Sequence, residues 1–226
     1  MAFDVDVLDE HEQGELVQKW LRENAMSIAI GIALGLVLIF GWQQWKAHRV
    51  RHAAEAATQY QALVAAIGSK HDDDAKAIAD ALRKDYPDSA YASLAAMRVA
   101  EIANGKGDLK DAAADLEWVQ QHGGAPALTE LAGINLAKLQ LAQGQADAAL
   151  KLIDALPKGN YAGLAGEVRG DILAQLNRAD EARAAYQDAL SHLDPQSPGR
   201  SFVQMKLDNL APAPVAPTAA KESKGS

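Results

Sequence analysis

The sequence predicts an all-α protein: an N-terminal single transmembrane helix followed by a tetratricopeptide-like helical-hairpin solenoid. Three observations predict it. Residues 24–45 form one uncharged, largely apolar run. Downstream, apolar residues recur at helical spacing in an alanine-rich background, with aromatics at 5% and no alternating β-branched run of strand length. The segments GDLKDAAADLEWV, GQADAALKLIDAL and NRADEARAAYQDAL also share one pattern: a turn, a short polar step, an alanine, then apolar residues at helical spacing.

The first 23 residues carry seven acidic and two basic side chains. The run that follows, Asn24 to Trp45, makes a helix of about 33 Å at about 1.5 Å per residue, enough for a hydrocarbon core of about 30 Å. A cleaved signal peptide would need a basic start and a small-x-small cleavage site. Here the start is acidic and the run ends in Gly41-Trp42-Gln43-Gln44-Trp45, so the segment is expected to be retained. Trp20 on one side and Trp42 and Trp45 on the other fall where amphipathic rings favour the headgroup zone. Lys19, Arg22 and the collar Lys46-Ala-His-Arg-Val-Arg-His52 lie outside them, and the collar reads as a contact with the lipid bilayer. Two bases before the run against three after it lean toward a cytoplasmic C-terminal side, although long domains translocate largely regardless of such counts. Gly31 and Gly35 form a GxxxG step that lets a second membrane helix approach closely.

In the soluble part Ala112, Ala149 and Ala182 are equivalent, 37 and 33 residues apart, and Ala75 lies a further 37 upstream. A period near 34 residues is that of the tetratricopeptide helical hairpin. Gly170, Ala182, Tyr186 and Ala189 fall where that repeat places a small residue on helix A, then small, bulky and small residues on helix B. Ala100, Ala112 and Leu116, and Ala137, Ala149 and Ile153, occupy the corresponding positions. Small side chains at the crossing let the two helices approach, and the large one fills the wedge they leave. Four hairpins are predicted at 50–86, 89–122, 126–156 and 161–192, within a domain spanning 46–210, with Ser201 to Leu210 as a capping helix. The Pro/Ala-rich tail, 211–226, has a disordered composition. The competing fold is an alanine-rich bundle whose spacing is regular by chance, since the unit lengths vary and the tryptophan position of the repeat is empty.

No catalytic, cofactor-binding or metal-binding set is predicted. The chain has no cysteine, so disulfides, thiolate metal sites and cysteine nucleophiles are excluded. His48 and His52 are four apart on one helix face but lack a third ligand nearby. Asp72-Asp73-Asp74 lacks the alternating ligands and glycine of a calcium loop and reads as a helix start. Gly105-Lys106-Gly107-Asp108 is too short for a phosphate loop and reads as a hairpin turn. The net charge of −8 argues against nucleic acid as a partner. What remains is a non-catalytic binding module. The inner wall of the repeats, projected from the register, comprises Leu94, Met97, Glu101, Ile134, Lys138, Leu141, Glu167 and Asp171, a mixture of apolar and charged groups suited to varied segments or one partner helix.

The acidic start, the stretch ELVQKWLRENAMSIAIGIALGLVLIFGWQQWKAHR, the helical repeats and a terminal QMKLDNL together resemble the YfgM-type ancillary subunits of the bacterial SecYEG translocon. The resemblance runs to about Leu210. It implies a bacterial inner-membrane protein, cytoplasmic at residues 1–23 and periplasmic in its repeats, which overrides the lean of the charge count. It also implies the translocon and a membrane-anchored chaperone of the peptidyl-prolyl isomerase type as partners, with unfolded exported polypeptides passed toward periplasmic chaperones. A tetratricopeptide-type scaffold for envelope or cell-division complexes would use the same parts, and only the partner distinguishes the two.

Overall fold

The computed structural model describes residues 9–210, with side chains from residue 18 onward. The first eight residues of the acidic segment and the Pro/Ala tail, 211–226, lie outside the described residues. The chain divides into two compact units between Ala54 and Glu55.

The first unit lies on helix α1, Asp9–Gly68. This is the one described helix long and apolar enough to cross a membrane: its most apolar window has a mean hydropathy of 2.3, with none of it buried against protein. Leu38 and Phe40 are 73% and 62% exposed, as a lipid-facing surface requires.

The second unit is built from the end of α1 and eight further helices: α2 (Asp72–Asp85), α3 (Ala90–Lys106), α4 (Leu109–His122), α5 (Pro126–Ala142), α6 (Ala146–Ala155), α7 (Ala162–Gln175), α8 (Ala179–His192) and α9 (Pro198–Asn209). No strand occurs among the described residues. From α2 onward each helix packs on the next in sequence, α3 also packs on α5 and α5 on α7. That is the nearest-neighbour pattern of a hairpin solenoid, with α3, α5 and α7 as helices A and α4, α6 and α8 as helices B. The expected capping helix is α9.

Local chemistry sets the boundaries. Ser89 caps α3 by accepting from the Tyr91 N–H, and Asp108 caps α4 by accepting from the Asp111 N–H. Helix α2 opens on Asp72, Asp73 and Asp74 and closes on Arg83 and Lys84, each sign at the end the helix dipole favours. The turn inside every hairpin contains one left-handed residue: Lys70 (φ 60°), Gly107 (φ 82°), Gly144 (φ 76°) and Asn177 (φ 60°). Each precedes one of the equivalent alanines by five residues, so backbone geometry repeats with the spacing of the side chains.

The crossing-point residues are buried as the repeat requires. Ala100, Ala137, Ala112, Ala149 and Ala182 are at most 3% exposed, with Leu116, Ile153 and Tyr186 in the wedges. Gly170 makes a close contact of its own: the Tyr186 ring lies where a Cβ would be, its Cδ1 2.5 Å from that point. The interior forms four clusters strung along the stack. They centre on Leu63 and Leu82, on Leu116 and Leu136, on Ile134 and Ile172, and on Leu173 and Tyr186.

Candidate partner-binding groove

Within the repeat unit the helix A faces open into a groove of 530 Å³. Tyr60 closes one end; Leu94, Met97, Arg98, Glu101 and Asn104 of α3 form one bank, and Leu131, Asn135, Lys138, Leu139 and Ala142 of α5 the other. Ala112 and Leu116 of α4 contribute to the lining. Arg98 donates to Glu101 at 3.2 Å, and the Tyr60 and Tyr91 rings lie 5.7 Å apart beside it. Lys138 makes no ion pair among the described residues. The groove is therefore an apolar trough with an internally neutralised pair on one bank and an uncompensated cation on the other.

Four of the residues projected from sequence meet here: Leu94, Met97, Glu101 and Lys138. The other four do not. Ile134 is 0% exposed in the cluster it shares with Ile172, so its placement on an open wall is corrected, and Leu141 packs partly against the same cluster. On α5 the open stripe is Leu131, Asn135, Lys138 and Ala142, at i, i+4, i+7 and i+11; Ile134 and Leu141 lie on the neighbouring stripe, which faces the next hairpin.

Glu167 and Asp171 are also displaced from the open wall, because α9 closes the last hairpin over them. Lys206 Nζ donates to Glu167 Oε1 and to Asp171 Oδ2, both at 2.7 Å. Tyr186 Oη donates to Asp171 Oδ1 at 2.7 Å. Burial works against the Lys206 ammonium, but the hydrogen bonds to Asp171 and Glu167 outweigh it and hold the group above its ordinary pKa. Burial, reinforced by the bond to Asp171, holds the Tyr186 phenol well above its own. Beneath this polar clamp Val203 is 0% exposed, with Leu207 and Leu210 packed around it. Arg200 Nη1 donates to the Leu190 carbonyl at 2.5 Å, supplying a partner at the end of α8. The open groove thus ends before α7.

A second tie joins hairpins three and four. Glu130 of α5 is 3% exposed, and its Oε1 accepts the backbone N–H groups of Gly159 and Tyr161, each at 3.2 Å, at the entry to α7. Between α2 and α4, Arg83 Nη1 donates to Asp115 Oδ1 at 2.5 Å while its guanidinium lies over the Trp118 ring. Both side chains are largely covered, so this is a structural link.

Elsewhere on the chain, Gly31 and Gly35 lie on an open face: among the described residues, nothing beyond their own stretch of helix backbone comes within 4 Å of where a Cβ would sit. The His48 and His52 rings are 5.7 Å apart. Among the described residues no group of three His, Asp or Glu side chains converges as a metal site. Asp72 to Asp74 do start a helix, and Asp72 pairs with Lys106 at 2.7 Å.

The chain is similar to proteins named ancillary SecYEG translocon subunit. It is 29% identical to that of Escherichia coli (strain K12) over 203 residues, which is 90% of this chain and 97% of the relative. It is 28% identical to that of Haemophilus influenzae over 211 residues, covering 90% and 98%, and 24% identical to that of Aggregatibacter actinomycetemcomitans over 207 residues, covering 90% and 98%. The family described as tetratricopeptide repeat-like domain matches residues 18–212, from the apolar segment of α1 to just beyond α9. By that match, and by its hairpins with their small crossing residues, the chain belongs to the tetratricopeptide repeat-like domain family.

Proposed function

We propose that this protein is a membrane-anchored, non-catalytic subunit associated with the SecYEG translocon, and that its groove receives segments of exported polypeptides on their way to periplasmic chaperones. The observation that carries the association is the extent of the likeness: proteins named for this role align with 90% of the chain, through the apolar helix and the hairpins alike. The groove supports the binding role. Its apolar floor accepts side chains without demanding a sequence, while Arg98, Glu101, Asn104, Asn135 and Lys138 offer polar partners along the banks. The chemistry these side chains offer is that of recognition. The polar clusters at Lys206 and Arg83 are satisfied internally.

In this reading α1 spans the inner membrane with residues 1–23 cytoplasmic and the hairpins periplasmic. A membrane-anchored chaperone of the peptidyl-prolyl isomerase type is the partner that takes over the client. Gly31 and Gly35 give α1 a surface on which a neighbouring membrane helix packs.

The test is recovery of the full-length protein through a C-terminal tag from native membranes in mild detergent, with a photo-crosslinking residue at Met97 or Leu131. Translocon channel subunits should co-purify, and crosslinks from the groove should reach exported precursors. Recovery of division or cell-wall proteins without translocon would overturn the association in favour of the scaffold. Crosslinks equal to those from a probe on the exposed face at Lys151 would overturn the groove.

A further inference from the structure

The face of α1 just past its apolar run carries a feature that the translocon reading leaves unused. Gln43, Ala47 and Val50 form one stripe at i, i+4 and i+7, and Lys46 and Arg51 border it on opposite edges. Together they present an open strip whose surface is nearly all apolar. Val50, at its centre, is 61% exposed. Neither Lys46 nor Arg51 makes an ion pair among the described residues, and no acidic residue lies anywhere between Glu23 and Glu55. The third base of the collar is differently placed. Arg49 projects from the other side of the helix, where its guanidinium sits 4.9 Å over the Trp45 ring, which in turn lies 5.2 Å from Trp42.

We infer that this strip is a binding site for an anionic phospholipid, with the phosphate held between Lys46 and Arg51, the glycerol ester against Val50 and an acyl chain running inward past Ala47 and Gln43. Three features converge on that chemistry. Two uncompensated cations separated along the axis by about 7.5 Å, five residues at helical rise, bracket one headgroup. The apolar strip between them matches the start of an acyl chain, which a free phosphate would not use. The tryptophan pair marks this turn of the helix as the headgroup level. A zwitterionic lipid gains the strip but loses part of the electrostatic contact, because its own ammonium opposes the lysine and arginine.

The inference rests on α1 crossing a membrane, which retention of the full chain in alkali-washed membranes tests separately. The experiment is native mass spectrometry of the full-length protein released from micelles containing equal amounts of dioleoyl phosphatidylcholine and dioleoyl phosphatidylglycerol. The wild type should retain phosphatidylglycerol in preference, and K46Q/R51Q should reduce that preference by about thirtyfold, given the energy typical of two basic residues at an anionic surface. Val50→Gln, which changes no charge, should reduce it several-fold, and Arg49→Gln should leave it in place. Far-UV circular dichroism checks that each variant keeps its helix. Equal retention of the two lipids by the wild type overturns the site. So does a loss in Arg49→Gln matching that in K46Q/R51Q with Val50→Gln unaffected, because the collar would then act by total charge alone.

Discussion

Replacing Lys206 with methionine tests whether α9 is held by its polar clamp or only by its apolar face. The substitution keeps the length of the side chain and the packing around Val203 but leaves Glu167 and Asp171 facing each other without the cation that both accept from. Removing one partner of a fully buried pair costs about 3–5 kcal/mol, and an exposed pair is worth about 0–1 kcal/mol. Lys206, Glu167 and Asp171 are 33%, 21% and 29% exposed. After discounting for solvent screening, that intermediate burial places the loss at about 2 kcal/mol. In a domain of this size it lowers the melting temperature by about 4–8 °C. If α9 opens as a unit, amide exchange in residues 198–209 should quicken by about thirtyfold, the same energy expressed as an opening constant. Thermal unfolding of the full chain in detergent, followed by far-UV circular dichroism, measures the first effect, and hydrogen exchange by mass spectrometry the second. Adding Glu167→Gln and Asp171→Asn to the methionine variant should restore most of both, since the penalty arises from uncompensated carboxylates. Wild-type exchange in Lys206→Met, or a triple variant no better than the single, would refute the clamp.

Three further outcomes follow from the same geometry. Gly107→Ala forces a side chain into a φ of 82° and should lower stability by about 1–2 kcal/mol in the same melting assay; an unchanged melting temperature would show that the α3–α4 turn relaxes freely. Lys76 donates to Asp111 at 2.6 Å and, by that hydrogen bond first, holds its carboxyl below the usual range. The folded chain therefore gives up that proton at lower pH than the unfolded chain. The stabilisation is present above the unfolded value of about 3.9 and is lost as pH falls through the folded one. Asp111→Asn should accordingly flatten the acid limb of the stability profile, and superimposable limbs would remove the assignment. In the membrane segment, Gly31→Ile with Gly35→Ile should lower co-purification of a membrane partner while the hairpin domain melts as before; undiminished recovery would exclude that face as a packing surface.

The hairpins were readable because the code for them is local. A left-handed turn residue, an N-cap and a small residue at the crossing all lie within one repeat, and the four repeats corroborate one another. Ile134 shows where that register loses resolution. Moving one residue around a helix turns the side chain by about 100°, so a projection correct for α3 misplaced the open stripe of α5 by a fraction of a turn. Lys206 illustrates a different limit. Its partners lie 39 and 35 residues away in a different helix, and nothing in QMKLDNL alone says which acids the lysine reaches. Glu130 was equally silent: a glutamate on a helix reads as solvated surface, and only the loop that returns from α6 puts two N–H groups against it. Arg98, Asn104, Leu131 and Asn135 could have been found by extending the stripes of Met97 and Lys138 along their helices.

The division of the interior into four small clusters, with alanine supplying half of the buried apolar residues, sets the mechanical character of the domain. Alanine brings helices close while burying little area, so each junction between hairpins rests on a few larger side chains such as Leu63, Ile134 or Ile172. A junction can then loosen at low energetic cost, and what it uncovers is mostly methyl groups rather than broad sticky surface. Under the function proposed above, with unfolded chains as its neighbours, this confers immunity: the domain can flex around a passenger without itself becoming an aggregation partner for it.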